Sequence, residues 1–288
     1  MKKEPETGKG MVIFDIDGVI NSFSNRRFYY NFMRRSLKNL AKVRGYRELA
    51  SRLPEIQKMG GPNALFTFAH KYCGSKKSFE NFSRNLINDL DFDQIAHDPS
   101  LTEFIKRIGS YGQLAVRSDG ISAIASAAWM RVVDDKPSNK IKEELLSSPE
   151  LPSQTTQKID GQNVLISGID DNNMKTKTDV QSWLDFAKRN NCDLHKSVLL
   201  DDSRNNLKIA QQLGMTTVHI SKLDSLLKTS MFGCGLSDIL GHRMSDTLTH
   251  CKLTYGKEVD ARTLFRVLLK RKNKVGKFNQ YTAFNRGR

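Results

Sequence analysis

The sequence contains no run of eighteen or more apolar residues, so no stretch of it reads as a membrane-spanning helix. Met1 to Gly10 is charged and lacks the apolar core of a secretion signal, so a cytoplasmic location is expected. Cysteine is scarce. Cys73, Cys192, Cys234 and Cys251 are the four in 288 residues, and none forms a Cys-x-x-Cys pair, which excludes a disulfide scaffold and suits free thiols in a reducing compartment. Cys234, His242, His250 and Cys251 lie near one another, at spacings that match no common zinc pattern. Internal repeats and low-complexity tracts are absent. Acidic residues are the last shortage: 31 Asp and Glu face 46 Lys and Arg, giving a formal net charge of +15. A field of that sign attracts nucleic acid, nucleotides, anionic membranes and other phosphorylated partners.

What is present is a globular composition, 38% hydrophobic and 27% charged, in a chain long enough for one large or two small domains. The most informative stretch is Met11-Val-Ile-Phe-Asp-Ile-Asp-Gly18. A continuous apolar run of this kind predicts a strand buried on both faces of a parallel sheet, and α/β sheets carry their chemistry at the carboxyl ends of the strands. Asp15 and Asp17 stand at that end, and Gly18 lets the chain turn so that both acids can face one crevice.

The same pattern recurs downstream. Gln113 to Val116 predicts a short strand running into Arg117-Ser118-Asp119-Gly120, a turn that leads into a helix over 121–133 and can present N–H groups and a hydroxyl to an anion. Asn163 to Ser167 predicts another strand, followed by a loop that ends at Lys177 just before a helix over 178–189. Ser197 to Leu200 is a strand stopping at Asp201-Asp202, with Ser203 as N-cap of a helix over 204–213 that Gly214 closes, and a strand follows over 216–220. Two strands that each end in an acid pair would bring four carboxylates together. Such a cluster needs a cation, and oxygen-only ligation favours Mg²⁺.

Between the strands, residues 25–89 read as helical. Phe28, Phe32, Leu37, Leu40 and Val43 mark an apolar face, with Arg34, Arg35, Lys38 and Lys42 filling a basic outer side. Gly60-Gly61-Pro62 breaks this region ahead of helices over 63–72 and 76–89, and an all-helical insert directly after the first strand suggests a cap over the site. Ser100 is the expected N-cap of a helix over 101–108, with Glu103 as its capping-box partner. Residues 134–162 read as a polar surface insertion. Beyond 222, Ala261, Leu264, Phe265 and Leu268 outline a helical face beside Arg262, Arg266 and Lys270, and the tail interleaves Lys277, Arg286 and Arg288 with Phe278, Tyr281 and Phe284. Basic and aromatic residues in that mixture can track a nucleic-acid backbone and stack on bases, although a docked helix with a frayed tail has the same composition.

Taken together, Asp15-Ile-Asp-Gly-Val19, Ser118, Lys177 and Asp201-Asp202 resemble, in order, the four motifs of the haloacid dehalogenase-like (HAD) hydrolase superfamily, over roughly residues 11–222. Within it, Leu90 to Asp98-Pro99, Lys177-Thr-Asp-Val180 with Trp183, and Asp201-Asp-Ser203 with Asn205-Asn206 are similar to the pyrimidine 5′-nucleotidase branch. The resemblance implies a Rossmann-like parallel sheet flanked by helices. The α/β core would take 1–20 and 96–222, a helical cap 21–95, and a basic C-terminal extension 223–288. It implies a Mg²⁺-dependent phosphatase that acts on a nucleoside monophosphate or similar phosphorylated small molecule. Asp15 would be the nucleophile, Asp17 the acid and base, Ser118, Asp119 and Lys177 would bind the phosphate, and Asp15, Asp17 (through its carbonyl), Asp201 and Asp202 the metal. Arg117 and Asp119 depart from the usual second motif, which has an apolar residue, Thr or Ser, then Asn, and Thr178 replaces a proline. Two alternatives stay open, a phosphatase for nucleic-acid ends and a nucleic-acid-binding or structural protein that keeps the fold without turnover.

Overall fold

The computed structural model describes residues 8–21, 26–59, 64–109, 113–220, 253–255 and 257–259. Cys234, His242, His250 and Cys251, whose spacing matches no common zinc pattern, and the basic aromatic tail lie outside the described residues.

The centre of the sheet is β1 (Met11–Phe14), buried on both faces as its apolar run requires. It pairs in parallel with β2 (Gln113–Arg117) on one side and β5 (Val198–Asp201) on the other. Outward from β2 lie β4 (Gln162–Ser167), parallel, and β3 (Gln154–Ile159), antiparallel. Outward from β5 lies β6 (Thr216–His219), parallel, and the short antiparallel strands β7 (Leu253–Tyr255) and β8 (Lys257–Val259) continue the sheet. The chain thus grows from β1 through β2 to β4, then returns to β1 and grows the other way through β5 and β6. Open α/β sheets form their functional crevice where the direction of growth reverses, here between the ends of β1 and β5.

Side-chain alternation divides the core in two. Val12, Phe14, Leu114, Val116, Val198 and Leu200 face the larger cluster, whereas Met11, Ile13, Ala115 and Leu199 face a smaller one with Trp183 and Phe186 of α8 (Val180–Arg189) and Leu207 and Ala210 of α9 (Arg204–Gln212). The larger cluster also takes in α1 (Arg26–Arg44), α2 (Tyr46–Lys58), α3 (Leu65–Cys73) and α4 (Lys76–Asp89), the helical block expected between the first two strands. Aromatic rings fasten it: Phe28 lies 6.3 Å from Phe32 and 6.0 Å from Phe92, and Phe32 lies 5.9 Å from Phe66. Each such pair adds about 0.5–1.5 kcal/mol to the burial itself. Asn39 on α1 donates to Asp89 on α4, which fixes the two helices against each other.

Two expectations are corrected. Helix α5 (Pro99–Gly109) starts two residues earlier than expected, because the Asp98 carboxylate accepts the Leu101 N–H and Pro99 takes the first helical position. Asp98, not Ser100, is therefore the cap; proline suits the first position because the N–H it lacks would have no partner there. The segment 134–162 is structured rather than a plain surface insertion. It holds α7 (Ser138–Leu146), which buries Ile141 and Leu145, and the edge strand β3. Ile159 pairs with Gln162 across a two-residue turn in which Asp160 (φ 48°) and Gly161 (φ 78°) both take the left-handed backbone that tight hairpins favour.

Candidate active site

Asp15 and Asp201 end adjacent strands at the crevice, and the Lys177 ammonium lies between them, 2.6 Å from Asp15 Oδ1 and 2.7 Å from Asp201 Oδ2. All three are buried. Gly18, at φ 82°, turns the chain after β1, and its N–H donates to the Asn21 carbonyl to close the loop. The turn separates the two acids of the first motif. Asp15 points to Lys177, whereas Asp17 Oδ1 lies 2.8 Å from the Tyr29 hydroxyl on the first turn of α1. Tyr29 escaped the sequence reading because nothing in its local pattern marks it; only the packing of α1 brings it to the acid.

The environments differ accordingly. Burial raises the Asp15 carboxyl well above the ordinary carboxylate range; Lys177 pulls it down, and Asp201 and Asp17 push it up. Burial also raises Asp17, against the Tyr29 hydrogen bond, but Asp17 keeps contact with solvent and its rise is the smaller. Burial alone would lower Lys177, yet Asp15, Asp201 and Asp119 outweigh it and hold the ammonium firmly protonated. A carboxylate oxygen from each of Asp15, Asp201 and Asp202 lies within 4.8 Å of the others, a group that could hold a metal ion. One ammonium cannot balance these acids, and a divalent cation beside them would remove the excess negative charge. A purely oxygen donor set suits Mg²⁺. The Asp17 carboxylate stands outside this group of three.

Asp201 is held in place by the Ser203 N–H at 2.8 Å and by the Asn206 amide at 3.2 Å. Ser203 also caps α9, so the helix that follows the strand fixes the acid that ends it. Ser118 is buried one residue past β2, and its hydroxyl accepts the Gly120 N–H. Asp119 accepts the Lys177 backbone N–H at 2.7 Å, so the unusual acid of the second motif is tied to the lysine loop.

Arg117 is the second departure, and it is buried on the opposite face of the sheet from the large core. Its guanidinium sits 3.9 Å from the Trp183 ring centroid and donates to the Ser182 hydroxyl. Ser182 in turn donates to the Thr176 carbonyl, and the Trp183 indole N–H donates to the Lys177 carbonyl at 2.8 Å. Residues 176 and 177 are thereby clamped from below by Arg117 through α8 and from the side by Asp119. Burial lowers the Arg117 guanidinium to about 9, and its Nε and Nη1 have no partner among the described residues. A buried cation left partly unsatisfied costs stability.

No family model matches the sequence, and no curated protein matches it. Among solved structures, the chain is similar to a HAD-family enzyme of Bacteroides thetaiotaomicron determined with magnesium and inorganic phosphate, at 14% identity over 74% of this chain and 94% of that one, TM-score 0.36. It is also similar to the UTR4 protein of Saccharomyces cerevisiae, at 15% identity over 74% and 89%, TM-score 0.40. A third is a phospho-aspartyl intermediate analogue of phosphoserine phosphatase, at 17% identity over 81% and 98%, TM-score 0.32.

Proposed function

We propose that this protein is a HAD-like, Mg²⁺-dependent phosphomonoesterase that hydrolyses a nucleotide phosphate through an aspartyl-phosphate on Asp15. The observation that carries the reading is Lys177 bridging Asp15 and Asp201 at the reversal point of the sheet, with Ser118 one residue past the neighbouring strand.

An Asp15 oxygen attacks phosphorus, and the bond from phosphorus to the leaving oxygen breaks. Asp17, held by Tyr29 away from the lysine, delivers its proton to that oxygen and then takes one from the water that cleaves the acyl phosphate. The Ser118 hydroxyl and the Lys177 ammonium hold phosphoryl oxygens as charge builds on them, and burial strengthens both contacts. Asp15, the Asp17 carbonyl, Asp201 and Asp202 would hold Mg²⁺, which when bound supplies charge neutralisation at the phosphoryl group. Helices α1 to α4 act as a cap, with Tyr29 as its link to the chemistry.

The nucleotide assignment follows the resemblance of Leu90 to Pro99, of Lys177 to Val180 with Trp183, and of the fourth motif region to the pyrimidine 5′-nucleotidase branch, together with the basic charge of the chain. Asp15→Asn should abolish phosphate release from a nucleoside monophosphate with the fold unchanged, and acid-quenched wild type should retain label from a phosphate-labelled substrate on residue 15. Sustained turnover by the variant would overturn the scheme.

A further inference from the structure

Helix α1 contains no Asp or Glu. Its exposed side carries Arg27, Tyr30, Arg34, Lys38 and Lys42, and Arg34, Lys38 and Lys42 follow one another at steps of four. Like charges at that spacing repel and destabilise a helix by a few tenths of a kcal/mol per pair, where a merely solvated face gains from mixed signs. Among the described residues no carboxylate pairs with Arg27, Arg34 or Lys38, and Lys42 donates to Asn39. The stripe costs stability, and among the described residues no acidic side chain offsets that cost.

Its position ties it to the site. Tyr29 holds the first turn of α1 against Asp17, and the next residue, Tyr30, is 70% exposed with its ring in solvent. From Tyr30 the stripe runs about 18 Å along the helix to Lys42. The apolar side of α1, with Phe28, Leu40 and Ala41, is packed in the core. The helix therefore has no apolar face left to enter a membrane, and only contacts through its charges and Tyr30 are open to it.

We infer that the exposed face of α1 is a track for single-stranded nucleic acid, whose terminal phosphate is the group presented to Asp15. Positive charges in a row follow successive phosphates, and an exposed ring at the end near the site gives the last base a surface to stack on. A single strand fits better than a duplex because Asp15 is buried, and a lone strand end can enter where a paired end is blocked by its complement. The inference rests on the phosphatase reading for the fate of the phosphate, but the binding itself does not.

The test uses the full chain carrying Asp15→Asn, so that binding is read without turnover. Fluorescence anisotropy with a 5′-phosphorylated oligonucleotide of about ten nucleotides is followed against salt concentration. Adding Arg34→Gln, Lys38→Gln and Lys42→Gln keeps helix-forming residues and should weaken binding at least tenfold. The log–log salt slope should fall by about 2, from three phosphate contacts at about 0.7 each. Tyr30→Ala should weaken binding of the oligonucleotide but not of heparin, a polyanion without bases. Unchanged affinity and slope in the Gln variant would assign any binding to other basic segments and overturn the inference. Equal loss for heparin and oligonucleotide on Tyr30→Ala would overturn it in favour of a base-free polyanion or acidic protein. Loss of the phosphatase reading alone would leave the binding results standing.

Discussion

The Arg117 guanidinium covers the Trp183 ring at 3.9 Å, and the same indole donates its N–H to the Lys177 carbonyl. A buried cation on one face of the sheet thus sets the position of the lysine that reaches the Asp15 and Asp201 carboxylates. Arg117→Met keeps the bulk and removes the charge. Because Nε and Nη1 lack partners among the described residues, the variant should be as stable as wild type or more so, by about 1–4 kcal/mol in a thermal melt. Turnover should nevertheless fall on the order of tenfold or more as the Lys177 loop loosens. A parallel loss of stability and activity would show Arg117 to be only structural.

Tyr29→Phe removes the hydroxyl that lies 2.8 Å from Asp17 Oδ1 and leaves the ring in place. A hydrogen bond to a charged group is worth about 1.5–3 kcal/mol, so kcat should fall by roughly 10- to 100-fold with little change in melting temperature. Unaltered kcat would remove Tyr29 from the site.

Asp170 is largely buried, and burial raises its carboxyl to about 6, against hydrogen bonds from the Ser122 N–H and hydroxyl. Folding therefore binds a proton at this position, and the stability it contributes is complete below the ordinary carboxylate pKa and lost as pH rises through 6. Asp170→Asn keeps an acceptor for Ser122. The variant should match wild type near pH 4 and exceed it by about 1–2 kcal/mol at pH 8, allowing for partial solvent contact. Melting curves at the two pH values check this.

Mg²⁺ should stabilise the protein through the carboxylates of Asp15, Asp201 and Asp202. At ten times its dissociation constant a bound ion adds about 1.4 kcal/mol, or roughly 3–5 °C in Tm. Chelation should reverse the shift, and Asp202→Asn should shrink it. An equal shift in that variant would place the ion elsewhere.

Much of the site was legible because strand ends announce themselves. An apolar run stopped by acids or small polar residues marks both the strand and its functional end, so Asp15, Ser118 and Asp201 could be read from the sequence. Lys177 was legible only through its place in the order of motifs. Strand β3 was missed because Gln154 to Lys158 is polar and sits at a sheet edge, where no buried face writes an apolar pattern; the Asp160-Gly161 turn was the available signal.

The sequence by itself determined the order of elements, the helical block after β1, the basic charge and the acids at the strand ends, because all of these are local in the chain. Only the tertiary structure decided which groups meet. Lys177 is 162 positions from Asp15 and 24 from Asp201, yet bonds to both, since parallel pairing of β1 with β5 brings their ends together. The same packing placed Tyr29 on Asp17 and Arg117 beneath Lys177. Convergence of this kind follows from sheet order and side-chain parity, neither of which any single stretch of sequence contains.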